Sequence, residues 1–118
     1  MQSGGTLVIA NGLSITNSNA VYVYGVLNVT GGGLSMSVGG TLLLDGGNTN
    51  TVVGAVNVTN NVNLTITTGT TLNITGNVNN SVDGQLNIDG TIAITGNYYA
   101  TNTADVGGSG NFTTTGSM

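Results

Sequence analysis

Any chemistry in this chain must be done with oxygen. Its 118 residues include four Asp but no Lys, Arg, His or Cys, and the formal net charge is -4. A nucleophilic triad needs a base beside its hydroxyl or thiol, and the chain holds no His, Lys or Cys to serve. The nearest approach to a catalytic pair is two carboxylates. Asp45 and Asp89 align when the chain is written as repeats, two periods apart with Thr67 between them. Two strand spacings would hold them about 10 Å apart, at the outer limit for inverting glycoside hydrolysis. Each precedes a glycine, Gly46 or Gly90, as a carboxylate solvating a tight corner would. The expectation is therefore no catalytic residue and no enzyme.

Metal and polyanion chemistry fare no better. Asp83-Gly84 and Asp89-Gly90 offer oxygen ligands near asparagines, of the kind calcium takes. Gly107-Gly108-Ser109-Gly110-Asn111 approaches the glycine-rich calcium-binding nonapeptide but lacks an Asp at the ligand position. No metal site and no cofactor are expected. Without a cation the chain cannot neutralise phosphates or anionic headgroups, so nucleic acid and membrane surfaces are poor partners. No apolar run is long enough for a spanning helix. One Phe and four Tyr are too few for the aromatic girdles of a membrane barrel.

Two polar patterns remain. Thr71 with Thr75, Thr91 with Thr95, and Thr113 with Thr115 fall on one outward strand face, although Val8, Val26 and Asn28 interrupt that face earlier in the chain. The array resembles the flat Thr-x-Thr surfaces on which some antifreeze proteins hold ice-like water. Threonine is also simply a good outward strand residue. Six Asn-x-Ser/Thr triplets, at Asn28, Asn57, Asn63, Asn73, Asn79 and Asn111, are candidate glycosylation acceptors in a secretory host. Such triplets also arise by chance in an Asn- and Thr-rich repeat. Asn57 and Asn79 share an outward site on successive periods, where an amide ladder is expected.

The elements that would position these groups come from one unit repeated five times, with a sixth begun. Leu7, Leu27, Asn50, Leu72, Ile92 and Phe112 form a first inward column at spacings of 20, 23, 22, 20 and 20. A second column reads Leu13, Leu34, Val56, Val78 and Tyr98, and a third reads Val21, Leu42, Leu64, Leu86 and Val106. The residue two places on is usually apolar as well, which is strand periodicity. Asn50 breaks the pattern and should be hydrogen-bonded in the core or displaced by a bulge. Asn80 and Gly108 break their doublets too. A period near 20 with small corner insertions signals a solenoid.

The fold expected over 1–118 is therefore all-β, a single parallel β-helix domain with three short strands per turn and about five turns. The bias of parallel crossovers favours a right-handed coil. Gly25, Gly47, Gly69, Gly90 and Gly110 are read as third-corner residues adopting positive φ. The second corner, with Asn17-Ser18-Asn19 and Asn60-Asn61, is read as the longest.

Strings such as Gly25-Val26-Leu27-Asn28-Val29-Thr30-Gly31 and Thr71-Leu72-Asn73-Ile74-Thr75-Gly76-Asn77 resemble the repeats of secreted bacterial β-solenoids. Filamentous-haemagglutinin-type adhesins and autotransporter passengers are the best known of these. The resemblance implies an extracellular or cell-surface location and a role in adhesion, surface display or fibre formation.

Met1-Gln2-Ser3 leads straight into the first strand, so no signal peptide is read there; a removed leader or a longer parent chain is expected instead. Neither end of the pattern shows a helix, proline or charged cap, so end-to-end and lateral self-association is expected. The leading expectation is a self-associating extracellular filament, fibre or sheath. An adhesin stalk with host-surface or glycan contacts through a face bearing Tyr22, Tyr24 and Tyr99 is the alternative, and ice binding is a lesser one.

Overall fold

Alternating apolar and polar residues, bounded by Gly and Asn, give strands of three to five residues. The computed structural model describes residues 4–81, 83–100 and 105–117. Met1, Gln2 and Ser3, which carried the leader reading, lie outside them. The first turn contains β1 (Thr6–Ile9), β2 (Leu13–Ile15) and β3 (Ala20–Val23), and the second β4 (Val26–Val29), β5 (Leu34–Met36) and β6 (Thr41–Leu44). The third holds β7 (Thr49–Val53), β8 (Val56–Thr59) and β9 (Asn63–Ile66), and the fourth β10 (Thr71–Thr75), β11 (Val78–Ser81) and β12 (Gln85–Ile88). Then come β13 (Thr91–Thr95), β14 (Tyr98–Ala100) and β15 (Asp105–Gly107), and β16 (Asn111–Thr114) begins a sixth turn.

Every strand pairs in parallel with its counterpart one turn away. The result is a β-solenoid of about five turns with three strands per turn. The first sheet is β1-β4-β7-β10-β13-β16, the second β2-β5-β8-β11-β14 and the third β3-β6-β9-β12-β15. No helix occurs among the described residues.

The inward columns form one core. Leu27 and Leu42 are fully buried and Leu64 is 1% exposed, and burying such a side chain contributes roughly 1.5–3 kcal/mol. The outermost turns differ. Leu7 is 39% and Val106 40% exposed, while Leu13, Val21 and Phe112 are only partly buried. A residue in an outer turn has neighbours on one side only, so these members of the expected core are incompletely covered. Tyr98 and Phe112 meet edge to face, with centroids 5.0 Å apart.

Asn50 is buried, and its amide joins three turns. Its Oδ1 accepts the Leu27 N–H at 2.7 Å and its Nδ2 donates to the Thr71 carbonyl at 3.3 Å. The β4–β7 pairing is correspondingly reduced to Asn28↔Thr51 and Val29↔Val52. Asn80 is buried as well and donates from Nδ2 to the Tyr98 hydroxyl at 3.0 Å. At Gly108 the φ of 107° carries the chain out of β15, and an added Cβ would strike the Ile88 carbonyl.

The corners account for the uneven period, and they correct the expectation for the third-corner glycines. The second corner has constant length and turns on two consecutive left-handed residues. These are Asn17 and Ser18, then Val38 and Gly39, then Asn60 and Asn61. The third corner is the variable one. It is two residues longer between Leu44 and Asn50, and between Ile66 and Leu72, than between Val23 and Leu27. The second turn gains another residue between Val29 and Leu34.

The third-corner glycines also divide into two kinds. Gly47 and Gly69 have positive φ, but Gly25, Gly90 and Gly110 do not. Gly90 and Gly110 are required by crowding, because a Cβ there would fall on backbone atoms of the preceding turn.

Candidate functional site

The lengthened third corner places Asp45 at the start of Asp45-Gly46-Gly47-Asn48, with Thr67-Thr68-Gly69-Thr70 stacked one turn on. The Asp45 Oδ1 accepts the Gly46 N–H at 2.7 Å and the Thr67 hydroxyl at 2.6 Å. Thr67 and Thr70 hydroxyl oxygens lie 3.2 Å apart, and the Gly47 N–H donates to Thr70 Oγ1 at 3.0 Å. With the Thr67 proton committed to the carboxylate, Thr70 is the donor between the two hydroxyls. The donors therefore run in one direction, Gly47 to Thr70 to Thr67, and end on Asp45.

This network holds the Asp45 carboxyl below its ordinary 3.8, through the Thr67 hydroxyl first and the Gly46 amide second, with desolvation opposing. A carboxyl so favoured as the anion is the reverse of a glycosidase acid, whose pKa must be raised. Asp89 is engaged elsewhere. Its Oδ1 accepts the Ser109 amide at 3.0 Å and the Ser109 hydroxyl at 3.2 Å, one turn further on. The two carboxylates share a column but each binds its own corner, and they do not converge on a common point. Among the described residues no group of three His, Cys, Asp or Glu gathers to hold a metal.

The outward face of the first sheet is more ordered than the sequence pattern implied. Its first row reads Thr6, Val26, Thr49, Thr71, Thr91 and Asn111. The middle row is Val8, Asn28, Thr51, Asn73, Ala93 and Thr113. The third is Ala10, Thr30, Val53, Thr75, Thr95 and Thr115, the outermost members placed by the Thr30 to Ile9 and Thr115 to Ile94 backbone bonds. The change of spacing from Thr71/Thr75 to Thr113/Thr115 is thus a move from the first row to the middle row, with the third row unbroken. All four acidic residues lie in or beside the third sheet, so the first sheet presents no charge.

The six candidate glycosylation asparagines occupy outward strand positions. The expected ladder is present, with Asn79 Nδ2 donating to Asn57 Oδ1 at 2.9 Å. Asn28 Oδ1 accepts the Thr51 hydroxyl at 2.7 Å. Asn63 is half-buried on β9, whereas Asn73 and Asn111 are exposed. A second amide stack, not anticipated, lines the first corner. Asn77 Oδ1 accepts the Asn97 N–H at 2.9 Å, and Asn97 Oδ1 accepts the Ser117 N–H at 2.8 Å. Its signal was the recurrent Gly-Asn after the first strand, Gly76-Asn77 and Gly96-Asn97.

Buried Val62 and Thr70 were also missed. Both sit in corners, where period-two alternation gives no inward or outward assignment. Tyr22 and Tyr24 are exposed at the third sheet and Tyr99 on the second, so these rings form no single patch. The chain matches no protein-family model, no curated protein and no solved structure.

Proposed function

We propose that this chain is an extracellular, non-enzymatic structural element, a β-solenoid that self-associates into a surface filament, fibre or sheath. The observation that carries the reading is the contrast within its inward columns. Leu27, Leu42 and Leu64 are at most 1% exposed, but Leu7 and Val106 in the outer described turns are 39% and 40% exposed. Apolar columns flanked by parallel strand edges accept further turns of the same kind, and a second copy can supply them as further residues of one chain would. An exterior with few charges opposes such stacking little. The engagement of Asp45 and Asp89 with corner groups supports a non-catalytic role, and the resemblance to secreted solenoid repeats supports the location.

Negative-stain microscopy and light scattering over a concentration series test this. Axial stacks that lengthen with concentration are expected, and dispersed monomers at high concentration would overturn it. The adhesin-stalk reading rests on exposed Tyr22 and Tyr24. It requires glycan-array binding that is lost in Tyr22→Ala and Tyr24→Ala.

A further inference from the structure

The first sheet carries, on its outward face, a regular arrangement that the other two sheets lack. Along its first row every residue from Thr6 to Thr91 is Thr or Val, and along its third row every residue from Thr30 to Thr115 is Thr or Val. Strand propensity does not account for this. It would favour β-branched residues on all three sheets equally, yet the two outward columns of the second sheet are Ser14, Ser35, Asn57, Asn79 and Tyr99, and Thr16, Ser37, Thr59 and Ser81, where Thr16 and Thr59 alone are β-branched. Val has the shape of Thr, so Val26 and Val53 continue the relief of the rows while omitting a hydroxyl. Branching at Cβ restricts χ1, and the parallel register repeats each side chain turn after turn. Two rails of methyls and hydroxyls are therefore fixed before anything binds.

The spacing of the rails selects a ligand. Adjacent turns lie about 4.8 Å apart. In a tetrahedral water network with O–H···O distances of about 2.75 Å, second-neighbour oxygens lie about 4.5 Å apart. The rails thus step along the solenoid at nearly the interval of hydrogen-bonded water in a lattice. The face is also free of charge, and charge would orient water around itself instead. Between the rails, the Thr51 hydroxyl donates to Asn28 Oδ1, which lowers the competition of that hydroxyl for lattice water.

We propose that the outward face of the first sheet binds the surface of ice, with the rails as the contact. This use is lateral and independent of stacking at the ends.

The test is ice growth in the presence of the purified chain, read as crystal shaping and inhibition of recrystallisation. Thr95→Tyr on the third rail and Ser35→Tyr on the second sheet would be compared, with circular dichroism confirming that both remain folded. The wild type should facet crystals and slow recrystallisation. Thr95→Tyr should lose that effect, and Ser35→Tyr should keep it. Round, unshaped crystals with the wild type would overturn the proposal, as would equal losses in both variants. It would also fall if the wild type left ice unaltered and Thr95→Tyr instead dissociated a dimer, for the face would then be an interface between copies.

Discussion

Val38 sits at φ 54°, in the left-handed region, at a corner position where neighbouring turns place Asn17 and Asn60. Its Cβ substituents clash with the backbone there, at a cost of roughly 1–2 kcal/mol. The side chain is 52% exposed, so little burial offsets that strain. Val38→Asn should raise the unfolding free energy by about 1 kcal/mol, measured by urea denaturation. Asp45 acts through charge. Its folded carboxyl lies below the ordinary value of 3.8 because the Thr67 hydroxyl and Gly46 amide favour the anion. The stability it contributes is complete above the unfolded value and is lost as pH falls through the folded one. Melting temperatures recorded from neutral pH down to about pH 2 should fall less steeply for Asp45→Asn than for the wild type.

At the scale of the elements, the strands are uniform and the corners carry the variation. The two long third corners stack on each other, and the Asp45–Thr67–Thr70 network exists because both insertions occur in successive turns. Gly90 then returns the chain to the short form directly above Thr67 and Thr70. A Cβ at Gly90 would fall on both of their carbonyl oxygens, whereas one at Gly69 meets nothing within 4 Å and faces only its φ of 82°. Gly90→Ala should therefore destabilise by about 3 kcal/mol, and Gly69→Ala by roughly 1–2 kcal/mol, compared by thermal or denaturant unfolding. In the sequence these two glycines look alike. What separates them is the position of the preceding turn, and no local pattern contains that.

The whole molecule measures 37 × 30 × 27 Å, so this length of solenoid is barely longer than it is wide. It becomes a rod only by addition of further turns. Stability in such a stack is a sum of nearest-neighbour terms, and it is greatest where a turn has neighbours on both sides. Leu64→Ala in the third turn should cost about 2–5 kcal/mol. Leu7→Ala in the first should cost roughly 1 kcal/mol, because its side chain is already partly solvated. Denaturant unfolding of the two variants checks the difference. Lateral properties are also set at this scale. The acidic residues fall in or beside the third sheet, and the outward face of the first sheet is left to Thr, Val, Asn and Ala.

The repeat, the three columns and the inward face of nearly every strand were legible in the sequence because side-chain alternation in a strand is local and its period is two. The Asn57–Asn79 ladder was legible for the same reason, as residues one period apart must stack. What only the tertiary structure decided lies where that period lapses or where a turn meets its neighbour. Examples are the burial of Val62 and Thr70, the crowding at Gly90, the double duty of the Asn50 amide and the separate partners of Asp45 and Asp89. The third row of the first sheet belongs there too. Its residues are some 20 apart along the chain, and only the register across the corner insertions brings them into line.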